Sequence, residues 1–135
     1  MLFISHRGNL HGPNPVLENT ISYIDKALQD GFACEVDVID YDDNGVFTLG
    51  HDKKQEEVDA RWITRKNLFA HAKNYKSLSG LLKHGAHCFY HTDEEYVLTS
   101  KNIIWCYPGV SYQNNDDCVI VLPELYPMKA WRSAY

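Results

Sequence analysis

A chain of 135 residues and 15.6 kDa has room for one domain with a core, but not for a complete (β/α)₈ barrel, which needs roughly 200 residues or more. Hydrophobic residues at 44% and charged residues at 23% exclude a disordered or linker-like chain. Lys and Arg number 13 against 18 Asp and Glu, a net charge of −5, so a nucleic-acid partner is not expected.

No apolar run approaches the ~20 residues that span a bilayer. The start, Met1-Leu2-Phe3-Ile4-Ser5-His6, lacks the basic segment and long apolar stretch of a signal peptide. The expectation is a cytoplasmic protein without an integral membrane segment. Cys34, Cys88, Cys106 and Cys118 then read as small buried hydrophobes in a reducing compartment.

Residues 2–5 form a first apolar run and read as a strand. A Gly- and Pro-containing loop follows, from His6 to Pro15. A helix runs from Asn19 or Thr20, either able to cap it, to Asp30. Its apolar residues Ile21, Ile24, Ala27 and Leu28 share one face, and Gly31 stands where a left-handed cap closes a helix. Residues 32–39 form a second strand. Asp42-Asp43-Asn44-Gly45 is a turn into a third strand, Val46 to Leu49, that ends at Gly50-His51-Asp52. Residues 53–76 give no assignable pattern. Ser77 caps a short helix through Lys83, with Gly85 after it. Strand-like runs follow at 86–91, 96–99, 103–107 and 118–122, with Lys101-Asn102 as a turn joining the middle two. The early strand–helix–strand order points to an α/β domain.

The chemistry-bearing residues fall at strand ends. His6 ends the first strand, His51 the third, and His91 the fourth run. Glu35 and Asp37 are two apart on the second strand, so both side chains face one way, while Cys34, Val36 and Val38 face the other. In a two-residue hairpin through Asn44-Gly45, Asp37 opposes Asp52 and Val38 opposes His51. With parallel strands the ends still meet. Two carboxylates on one face repel, and a hard divalent ion such as Mg²⁺ or Ca²⁺ relieves this with oxygen ligands. The same Glu-x-Asp also suits a solvated acidic face. His71, His84 and His87 read as surface or core filler. His84-x-x-His87-Cys88-x-x-His91 has the look of a zinc cluster, but its spacing fits no paired Cys/His site.

Taken together, several of these stretches resemble the glycerophosphodiester phosphodiesterase family, within the phospholipase-C-like phosphodiesterases. The matching segments are Ile4-Ser5-His6-Arg7-Gly8, Glu18-Asn19-Thr20, Glu35-Val36-Asp37-Val38, Asn44-Gly45 and Leu49-Gly50-His51-Asp52. They cover residues 3–52, and Leu78 to Gly85 looks like the family's short helix after the third strand. The resemblance implies a truncated, partial TIM-barrel-like α/β fold. It implies His6 and His51 as the catalytic pair, Arg7 as a phosphate contact, and Glu35 and Asp37 as ligands of Mg²⁺ or Ca²⁺. Glu18 and Asn19 would order the loop and helix start. The family's third ligand is a glutamate on a later strand. Here that stretch reads His87-Cys88-Phe89-Tyr90-His91, without a carboxylate, which leaves His91, Asp93 or Glu124 to substitute. His91 is also a candidate substrate contact.

The implied partner is a small phosphodiester substrate. A shortened barrel leaves edges unpaired, so a homodimer is expected through residues 86–122, where Phe89, Tyr90, Tyr96, Trp105, Tyr107 and Tyr112 lie. Two other readings share these residues. One is a phospholipase- or sphingomyelinase-D-like enzyme. The other is a non-catalytic remnant that binds a phosphorylated ligand or serves in assembly.

Overall fold

The computed structural model describes residues 2–110 and 117–121. The chain is mixed α/β and divides into two units, residues 1–90 and 91–135. The described residues form two open sheets and no closed barrel. None of the described helices is long and apolar enough to cross a membrane.

The first unit contains β1 (Ile4–His6), α1 (Ile21–Gln29), β2 (Ala33–Tyr41), β3 (Val46–Leu49), β4 (Glu57–Asp59), α2 (Ala60–Ile63), β5 (Leu68–Ala72), α3 (Tyr75–Lys83) and β6 (Cys88–Phe89). Its sheet runs β4-β3-β2-β5-β6, with β1 also on β2. The pairs β1–β2, β2–β5 and β5–β6 are parallel, while β3 pairs antiparallel with both β2 and β4. The second unit holds β7 (Tyr96–Leu98), β8 (Ile104–Cys106) and β9 (Cys118–Ile120). β7 and β8 form the expected hairpin, with Asn102 in the left-handed region, and β9 lies parallel to β8.

Both longer helices end in the same way. Gly31 N–H donates to Leu28 and Phe32 N–H to Ala27 after α1; Gly85 N–H donates to Leu82 and Ala86 N–H to Leu81 after α3. Each left-handed glycine thus satisfies the last free carbonyls and turns the chain toward the next strand. The α3 start differs from the sequence expectation. Asn74 is the cap, accepting from Ser77 N–H, and Ser77 stands three residues inside and bonds back toward Asn74. Such a reciprocal pair is a capping box. The β2–β3 hairpin also departs from a two-residue turn. Asp42 accepts from the N–H groups of Asn44 and Val46, which builds a longer loop. Tyr41 then faces Phe47 and Val38 faces Leu49, with an irregularity between Val38 and Asp40.

The unassigned stretch 53–76 proves to hold β4, α2, β5 and the start of α3. The core is formed by Ile24 and Ala27 of α1, the Cys34, Val36 and Val38 face of β2, Phe47 and Leu49 of β3, Leu68, Ala70 and Ala72 of β5, and Leu81 of α3. Cys34, Cys88 and Cys106 are buried thiols and Cys118 is half-buried. In the second unit the Cys106 and Cys118 sulfurs lie 2.8 Å apart. Of the aromatics expected at an interface, Phe89 and Trp105 are buried, whereas Tyr90, Tyr96 and Tyr107 are exposed; Tyr112 lies outside the described residues.

α3 packs on β2 through Gly80. A Cβ there would lie 2.5 Å from Cγ of Tyr41. That ring cannot retreat easily, because it stacks on Phe47 at 4.7 Å and its hydroxyl bonds His84 Nε2 at 2.9 Å. Gly80→Ala is therefore expected to destabilise the protein by about 1–3 kcal/mol, read from the urea midpoint; an unchanged midpoint would show that the helix can move off the sheet freely.

Candidate active site

Six successive residues of β2, 33–38, are buried. Alternation sends Cys34, Val36 and Val38 into the apolar core and turns Glu35 and Asp37 to the opposite face. The two carboxylates are nonetheless only 3% and 0% exposed, so this face is not a solvated acidic one.

Two strand ends meet on one edge of β2. β1 arrives parallel and sets His6 opposite Glu35; Arg7 N–H then donates to the Glu35 carbonyl at 2.9 Å. β3 arrives from the other direction and sets Leu49 opposite Val38; Gly50 N–H then donates to the Asp37 carbonyl at 3.0 Å. The His6-Arg7 and Gly50-His51 segments thus come head to head beside the carboxylates. Only glycine fits between Leu49 and His51: its φ is +139°, and a Cβ would stand 2.0 Å from the Lys53 carbonyl oxygen.

Four side chains surround Asp37. Arg7 Nε lies 2.8 Å from Oδ2, an ion pair without hydrogen-bond alignment, and Lys73 Nζ lies 3.7 Å from Oδ1. Asn19 clasps the residue at two points: its amide donates to Oδ2 at 3.1 Å, and its oxygen accepts from Asp37 N–H at 2.9 Å. His71 Nδ1 lies 3.1 Å from Oδ1. Burial opposes the charge on Asp37, but the His71 hydrogen bond, Arg7 and Asn19 outweigh it and bring its pKa down to about 2. An ionised carboxylate only accepts, so His71 Nδ1 is the donor. Arg7 and Asn19 both adopt φ of 57°, an uncommon conformation for side-chain-bearing residues. It is fixed by Asn19 N–H donating to the Arg7 carbonyl and by Glu18, which accepts from Arg7 and Asn9.

Glu35 is treated differently. Its Oε2 accepts no hydrogen bond, and His6 Nε2 stands 3.7 Å away. Burial first, then the charge on Asp37, push its pKa well above the ordinary carboxylate range. A buried carboxylate oxygen without a donor fits a cation's coordination shell. Burial, and after it Arg7, lower the His6 pKa. Nδ1 of His51 lies 2.8 Å from the Asp52 carboxylate.

The expected residues His6, Arg7, Glu35, Asp37 and His51 are thus gathered at one strand edge. His91 and Asp93 belong to the second unit, where the His91 ring meets Tyr107 edge-on at 6.3 Å; Glu124 lies outside the described residues. His71 is a correction to the sequence reading. It is buried, as a filler would be, yet it faces the carboxylates: β5 sets it opposite Asp37. Among the described residues, the one group of three His, Cys, Asp or Glu side chains placed to hold a metal ion is Glu35, Asp37 and His71, whose ligand atoms lie within 4.8 Å of one another. Lys73 too was missed, and Asn19 does more than order a loop. Leu68-Phe-Ala-His-Ala72 was the available signal: an apolar run with one polar residue set into it. His84 bonds Tyr41, and the His87 ring leans on Phe69.

The chain matches no family model, and comparison with curated proteins and with solved structures returned no match.

Glu35 holds its proton more tightly folded than unfolded. Its contribution to stability is therefore full below the unfolded value of 4.5 and is lost as pH rises through the folded one. Chelator-treated protein is expected to lose stability relative to Glu35→Gln as the pH is raised above 4.5. Urea midpoints across that range measure it, and parallel profiles for the two proteins would refute the burden placed on Glu35.

Proposed function

We propose that the protein is a metal-dependent phosphodiesterase acting on small phosphodiesters, glycerophosphodiesters above all, releasing an alcohol and glycerol 3-phosphate. One observation carries this reading: two buried carboxylates on one face of β2, with His6-Arg7 and Gly50-His51 delivered to them from opposite directions. The resemblance of residues 3–52 to the glycerophosphodiester phosphodiesterases supports it.

The diester is anionic and resists attack. Arg7, anchored at Asp37 and Glu18, offers its guanidinium to the phosphoryl oxygens as charge builds on them. His6 is held toward its neutral form, which suits it to take the proton of the attacking water. His51 gives a proton to the leaving oxygen, its ring oriented by Asp52. Glu35 and Asp37 would hold a divalent cation, which would supply Lewis acidity at the phosphoryl group. His71, Arg7 and Asn19 keep Asp37 ionised, and the two Asn19 hydrogen bonds aim it.

A second reading has its own observation. Four side chains already meet Asp37, as in a buried ion-pair network that serves structure or ligand binding rather than turnover.

One assay separates the two: release of glycerol phosphate from glycerophosphocholine and related diesters, with added divalent ions or EDTA. Turnover is expected, lost with EDTA and reduced ~10²–10⁴-fold by His6→Ala or His51→Ala, with secondary structure unchanged by circular dichroism. Absence of turnover with every diester and ion would favour the binding reading.

A further inference from the structure

We infer that His71 is the third ligand of the cation, and that its imidazole turns the site toward borderline first-row ions such as Zn²⁺ and Co²⁺ and away from Mg²⁺ and Ca²⁺. The inference rests on the metal-dependent reading above and deepens it by naming the ligand set and the class of ion.

Geometry comes first. His71 Nδ1 is 3.1 Å from Asp37 Oδ1 and 3.7 Å from Glu35 Oε1. Around an ion with bonds of about 2.0–2.2 Å, neighbouring ligand atoms stand roughly 3.0–3.5 Å apart, so small side-chain shifts close the set. An ion between Nδ1 and Oδ1 replaces the hydrogen bond that joins them, and the Nδ1 proton is released to solvent as the ion binds. The ring is also held in place from both sides of its strand. β5 lies between β2 and β6, and the register sets Asp37, His71 and Phe89 in one row. The His71 ring stacks on Phe89 at 5.0 Å with the planes 1° apart. Such packing orients a ligand before an ion arrives.

The unsatisfied Glu35 Oε2 is an independent observation. It is a buried acceptor aimed into this face with no hydrogen-bond donor, and two carboxylates with one imidazole give it a reason to be there.

Chemistry then selects the ion. Mg²⁺ and Ca²⁺ take oxygen ligands, and their affinity follows the number of negative charges offered. Here Arg7 and Lys73 stand 2.8 and 3.7 Å from Asp37 and offset much of that charge. A nitrogen ligand adds bonding that does not depend on net charge, and imidazole suits Zn²⁺, Fe²⁺ and their neighbours.

The test uses the whole chain, stripped with chelator, and reads metal binding directly. Calorimetry with Zn²⁺, Co²⁺, Mg²⁺ and Ca²⁺ is expected to rank the first two well above the last two. Because transition ions outrank Mg²⁺ at most sites, the decisive comparison is His71→Glu, expected to shrink the Co²⁺/Mg²⁺ affinity ratio by at least about tenfold. Electron-spin-echo spectra of Mn²⁺-loaded protein should show coupling to a histidine nitrogen that survives His6→Ala and disappears in His71→Gln, a variant that keeps the site polar should His71→Glu fold poorly. An unchanged ratio, or a nitrogen signal that survives loss of His71, overturns the inference. No binding of any divalent ion overturns both it and the metal-dependent reading. Binding through His71 without hydrolysis of any diester leaves the ligand assignment standing and removes the phosphodiesterase.

Discussion

Two carboxylates inside the sheet set the terms for the rest of this structure. A buried charge is costly unless partners meet it, and β2 buries two carboxylates, two residues apart on one face. The protein meets only one of them in full. Asp37 has a guanidinium, an amide, an imidazole and an ammonium around it. Assembling that set requires two residues in left-handed backbone, a loop tied back by Glu18, and a parallel strand in a fixed register. Glu35, at the same depth, is left with an oxygen that nothing donates to.

The strand edge solves a positioning problem. Residues 6–7 and 50–51 are far apart in sequence, and each sits just past a strand end. A short parallel strand and a short antiparallel one, laid end to end along β2, bring both to the carboxylates without a long loop. Gly50 makes the second arrival feasible, because no side chain fits between it and the Lys53 carbonyl.

Much of this could be read from the residues, for physical reasons. Glu35 and Asp37 stood out because alternation with Cys34, Val36 and Val38 fixed their shared face, and α1 stood out through its apolar stripe and Gly31. The hairpin was legible in kind but not in register, because Asp42 captures two backbone N–H groups and lengthens the loop. The stretch 53–76 was opaque because its elements are three, four and five residues long, too short for periodicity to speak. His71 was hidden for a different reason. Its role depends on β5 lying parallel to β2 with one particular register, and such a pairing leaves no trace in local sequence. The alternation that exposed the carboxylates was present in Leu68-Phe69-Ala70-His71-Ala72 as well, but a lone histidine in an apolar run reads more simply as packing.

β1 has only three residues and pairs with β2 alone, while the large apolar cluster lies elsewhere, on α1, α3 and the central strands. Elements with few packed neighbours open at low free energy, well short of global unfolding. The strand that delivers both His6 and Arg7 is therefore among the cheapest parts of the first unit to detach. On gentle heating His6 and Arg7 are drawn away from Glu35 and Asp37 while the helices and the central sheet persist, so the arrangement at this strand edge and the folded content have different thermal limits in this molecule.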